Sequence, residues 1–69
     1  MEQMNFILIE ALHTNKQVYL TYYKRGQSIT ETGFIQCVDS HGNLFIFMDD
    51  VFKLKNKMRL SEPIDVRFV

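Results

Sequence analysis

With 69 residues, eight Lys/Arg against eight Asp/Glu and a single cysteine, the chain has room for one domain. It lacks the overall basic field that attracts polyanions, and it can form neither an internal disulfide nor a cysteine metal cluster. So short a chain buries only about 60% of its unfolded surface, so its core is small. Its hydrophobic content of 46%, with six Phe and three Tyr, excludes disorder and leaves apolar surface for a partner. A homo-oligomer is the simplest such partner.

Cys37 is expected to pack in the core, and a reducing cytoplasm is the default compartment for a lone thiol. A zinc site would have to be assembled from scattered ligands such as His41 and Asp39, so no metal or other cofactor is expected. Met1-Glu2-Gln3-Met4 lacks the basic start of a secretory signal. No apolar run approaches the roughly 18 residues of a membrane span. The chain reads as a soluble, cytoplasmic protein with no membrane partner.

In chain order, the spacing of Met4, Leu8, Ala11 and Leu12 predicts a short helix over about residues 4–13, with Ile7 and Ile9 off its apolar stripe. His13-Thr14-Asn15 ends it. From Gln17 to Tyr23 the chain alternates, with Val18, Leu20 and Tyr22 on one face and Tyr19, Thr21 and Tyr23 on the other, which predicts a strand. Lys24-Arg25-Gly26-Gln27 supplies a tight hairpin turn, since Gly26 accepts a positive φ. Ser28 to Val38 forms a second strand, and Gly33 in its middle predicts a bend or bulge of the kind that turns a corner in a small barrel. Asp39-Ser40-His41-Gly42-Asn43 is a hairpin loop. Leu44 to Met48 is apolar on both faces and therefore central.

The next stretch carries the chain's main functional signal. Lys53, Lys55, Lys57 and Arg59 occupy alternate positions, so an extended chain would place four cations on one face and Phe52, Leu54, Met58 and Leu60 on the other. Successive side chains on that face stand about 6.5–7 Å apart, a spacing that can track phosphates or acidic side chains. Two organisations are open: one strand from Val51 to Leu60, or a turn at Asn56 dividing two strands, the second being preferred. Ser61-Glu62-Pro63 then breaks the chain, and Ile64 to Val69 alternates as a closing strand. The fold class is α+β and mostly β: a short N-terminal helix followed by a five-stranded, strongly bent antiparallel sheet or small barrel, one domain over residues 1–69.

That order resembles the Sm-like and SH3-like small barrels. The run Leu12-His13-Thr14, Val18, Tyr22-Tyr23, Gly26, Thr32-Gly33, Ile35 and Val38-Asp39, then Met58, Leu60 and Ile64-Asp65-Val66, resembles the YolD-like family of small bacterial proteins. The resemblance spans most of the chain. It implies a binding module rather than an enzyme. Some such proteins are encoded beside error-prone DNA polymerases, which implies a link to the DNA-damage response. The residues agree on the first point: there is no G-x-S-x-G, no P-loop and no paired His/carboxylate motif, and Ser28, Ser40 and Ser61 have no base at local spacing.

Two functions follow as expectations. In the first, Lys53, Lys55, Lys57 and Arg59, aided by Lys24 and Arg25, neutralise phosphates of DNA or RNA while Tyr19 or Tyr23 stacks on bases. The second is protein recognition or homo-oligomerisation, with an edge strand such as Ile64 to Val69 pairing with a partner's sheet.

Overall fold

The computed structural model describes residues 2–69, with side chains described from Phe6 onward. Helix α1 spans Glu2–Thr14, followed by strands β1 Val18–Lys24, β2 Gln27–Asp39, β3 Leu44–Asp49, β4 Lys55–Arg59 and β5 Pro63–Phe68. The five strands form one antiparallel sheet in the order β4-β3-β2-β1-β5. The sheet is open: β4 and β5 are its two edges, and no ladder joins them among the described residues. Of the two architectures expected, the bent sheet is therefore the one observed. No described helix is long and apolar enough to cross a membrane.

Strand β2 organises the rest. Its first half, Gln27 to Gly33, pairs with β1, and its second half, Gly33 to Asp39, pairs with β3. Thirteen residues in a straight strand would span about 40 Å at about 3.4 Å each. The molecule is only 28 Å along its longest axis, so β2 has to bend. The change of partner falls at Gly33, opposite both Val18 and Asp49. A Cβ there would collide with the Met48 carbonyl oxygen and stand 2.7 Å from the Phe47 ring. Glycine is required because β3 crosses so close.

The bulge itself lies two residues further on, where the register shifts between Ile35 and Cys37. The extra residue, Gln36, reverses the alternation beyond it. Cys37 therefore pairs with Ile46 and is exposed, which corrects the expectation that it packs in the core.

The core is a single cluster of Leu8, Ala11, Val18, Leu20, Ile35, Phe45, Phe47, Met58 and Val66. Helix α1 lies against β2 and β5. Leu8 and Ala11 are buried on it, Leu12 and Ile7 partly so, and Ile9 and Phe6 are exposed. Met4, assigned to the same stripe, lies outside the residues whose side chains are described. Thr14 Oγ1 donates to the Glu10 carbonyl at 2.7 Å. Asn15, with φ of 55°, ends the helix in the left-handed conformation. The β1–β2 hairpin turns through Arg25 and Gly26, whose φ values of 53° and 78° match the right-handed twist of the flanking strands.

Candidate functional site

Strand β4 confirms alternation for three of the four expected cations. Lys55, Lys57 and Arg59 lie opposite Met48, Ile46 and Leu44 of β3 on the outer face. Met58 is buried on the inner face, with Asn56 beside it. Asn56 is thus the second residue of a strand, and the preferred turn at that position is corrected.

The turn lies earlier, over residues 50–54, and Lys53 is part of it. Its φ is 60° and its Nζ is 2.8 Å from Asp50 Oδ1. A left-handed residue cannot continue a strand, so Lys53 leaves the basic row. Phe52 and Leu54 also leave the face on which alternation had placed them with Met58.

That turn is built by Asp49, whose carboxylate is buried at the end of β3. Its Oδ2 accepts the Phe52 amide at 2.6 Å and its Oδ1 the Leu54 amide at 3.0 Å. Main-chain bonds from Asp49 to the Leu54 carbonyl, 3.1 Å, and from Lys53 to the Asp49 carbonyl, 3.0 Å, close the loop. The Phe52 amide above all, with the Leu54 amide, holds the Asp49 carboxyl below the usual carboxylate range against the opposing effect of burial. Asp50 adds a second anchor: its amide donates to the Thr32 carbonyl at 2.8 Å, and its Oδ2 accepts from Gln17 Nε2 at 2.7 Å.

On this fixed turn stand three large apolar side chains in water: Val51, 79% exposed, Phe52, 74%, and Leu54, 61%. Alternation counting missed them because an apolar residue every second position reads as the inner face of a strand. The available signal was the Asp49-Asp50 pair, since aspartate carboxylates bond readily to amides a few residues ahead and so initiate turns.

The remaining site candidates divide between two places. Tyr19 and Tyr23 lie on the outer face of β1, 43% and 68% exposed. β2 and β3 separate that strand from β4 within the sheet. Lys24 and Arg25 are at the tip of the β1–β2 hairpin. Although two strands separate them within the sheet, Tyr23 and Lys24 share a groove with residues of β4. They line a groove of about 260 Å³ with Tyr22, Glu31, Lys57 and Glu62. A neighbouring groove of about 390 Å³ runs from Tyr22, Lys24 and Glu31 to Val51, Phe52 and Leu54. The structure thus joins Lys24, Tyr23 and Lys57 around one opening. Tyr19 stands apart, in a row with Thr32 and Arg67.

Charge in this region is unevenly satisfied. The ion pairs among the described residues are Lys53–Asp50 and Arg67–Asp65, both 2.8 Å. Glu62 spends its Oε1 on the Arg59 amide at 2.7 Å. Lys24, Arg25, Lys55, Lys57 and Arg59 have no ion-pair partner among the described residues. Burial, and then the negative charge of Glu31 beside it, pushes the Tyr22 hydroxyl above its ordinary value. No group of three or more His, Cys, Asp or Glu among the described residues is arranged to hold a metal ion.

The family model described as YolD-like protein matches residues 1–67. No curated protein and no solved structure matches the chain. A match over nearly the full length places the chain in the YolD-like family, to which it belongs.

Proposed function

We propose that this YolD-like chain is a non-enzymatic binding module that docks on another protein through the turn between β3 and β4 and the groove behind it. The observation that carries this reading is the exposure of Val51, Phe52 and Leu54 on a backbone locked by Asp49. A backbone already fixed spares the cost of ordering the loop when a partner covers these side chains, and large apolar residues are the usual make-up of an interface centre. The unpaired edges of β4 and β5 offer the same partner main-chain hydrogen bonds. A second copy of the chain is one protein that could fill this role, and sedimentation of the purified protein tests for it.

The defining experiment places a photo-crosslinking amino acid at Phe52 and, as a control, at Ser40 in the opposite turn. A discrete adduct from position 52 and none from position 40 supports docking through the turn. Equal or absent adducts at both sites overturn it.

A second reading, nucleic-acid binding, is favoured by Lys55, Lys57 and Arg59 projecting from one face of a free edge strand, and it would carry the implied link to the DNA-damage response. It predicts affinity for labelled DNA or RNA oligonucleotides that falls steeply with salt. Replacing the three residues with alanine would flatten that slope. Absence of binding at low salt removes this reading.

A further inference from the structure

The acids and cations around the apolar turn are not equivalent. Asp49 is consumed by two main-chain amides, Asp50 by Gln17 and Lys53, and Glu62 by the Arg59 amide, while Glu31, which lines both grooves, lies beside the Tyr22 hydroxyl. Lys24 lines the same groove as Phe52 and Leu54, Lys55 directly follows Leu54, and Lys57 lines the adjoining groove. These three have no ion-pair partner among the described residues. The turn therefore presents an apolar centre flanked by three cations without an ion-pair partner among the described residues, with Glu31 and Glu62 the acids that share their grooves.

Resting on the docking reading above, we infer that the partner segment is an acidic amphipathic peptide stretch. One or more of its large apolar side chains would pack against Val51, Phe52 and Leu54, with flanking Asp or Glu reaching Lys24, Lys55 and Lys57. Interfaces match potential in this way, with a desolvated apolar centre and a charged rim that steers encounter. Nucleic acid would meet the same cations and could stack on Phe52, but it gains little from Val51 and Leu54 on a turn that also carries Asp49 and Asp50.

The test is selection of peptides from a random display library on the purified full chain, followed by anisotropy titration of the enriched sequences. The expected winners carry a large apolar residue flanked by Asp or Glu. Their affinity should fall about tenfold or more with Phe52→Ser, as for a central interface residue. The double variant Lys55→Glu/Lys57→Glu should lose them and enrich Lys- and Arg-rich peptides instead. All three positions are exposed, and thermal melts confirm that the variants fold; Leu54→Ser serves as a second probe of the apolar centre.

Neutral or basic winners that still depend on Phe52 overturn the charge inference and leave the docking reading standing. Winners indifferent to both Phe52→Ser and Leu54→Ser, or no winners, overturn both. A random-sequence duplex that binds more tightly than any peptide, and loses affinity in the charge-reversed variant, overturns the inference in favour of nucleic acid.

Discussion

The two turns that flank β3 are made by the same device and end in opposite surfaces. At its start, Asp39 Oδ1 accepts the amides of His41 and Gly42, both at 3.1 Å. At its end, Asp49 does the same for Phe52 and Leu54. The first turn shows water Ser40, His41, Gly42 and Asn43, as a solvated loop should. The second shows it Val51, Phe52 and Leu54. The polar turn shows that an aspartate-capped turn can be built without large apolar side chains, and that contrast motivates the docking role proposed for the second.

The comparison can be broken most forcefully through the backbone beneath the second turn. Gly33→Ala drives a methyl group into the Met48 carbonyl and the Phe47 ring, so a loss of about 3 kcal/mol of stability is expected by denaturant titration. A stability within experimental error of the wild type would mean that β3 can retreat and that the platform is not rigid.

Next comes the clamp. Asp49→Asn should lower the melting temperature more than Asp39→Asn, because Asp49 is buried and Asp39 exposed. The Asp49 carboxyl titrates below its unfolded value of 3.8. Its contribution is therefore complete above the ordinary carboxylate range and is lost as pH falls through the lowered folded value. The gap between wild type and Asp49→Asn should close in acid, and a gap independent of pH would show that the charge is not what holds the turn.

Smaller effects sharpen the distinction between fold and function. Phe52→Ser and Leu54→Ser should change stability by no more than about 0.5 kcal/mol, as for other exposed positions, while weakening partner binding about tenfold. His41→Ala in the polar turn should alter neither. Lys53→Ala removes an exposed ion pair with Asp50. It should cost at most about 1 kcal/mol, and the cost should shrink as salt is added.

Much of the fold is legible in the sequence. The helix stripe around Leu8 and Ala11, the alternation of β1, the Arg25-Gly26 hairpin and the two-sided apolar β3 all express a local period or a local φ requirement. What escapes is whatever depends on one residue shifting the count. Gln36 adds a residue to β2 and moves Cys37 from the inside to the outside. Asp49 folds back on Phe52 and Leu54, and the left-handed Lys53 then resets the alternation. From there the basic row reads three rather than four, and the candidate binding surface moves from a strand face to a turn. Gly33 was legible as special. That it marks a close crossing by β3, with the bulge two residues later, follows only from the strands' positions.

Because β2 belongs to both ladders, β1 and β5 on one side and β3 and β4 on the other share a single spine. Neither half retains a complete sheet if the other is lost. Unfolding should therefore be all-or-none, with amide protons on β1 and β3 exchanging through the same opening event despite lying on opposite arms of the bend.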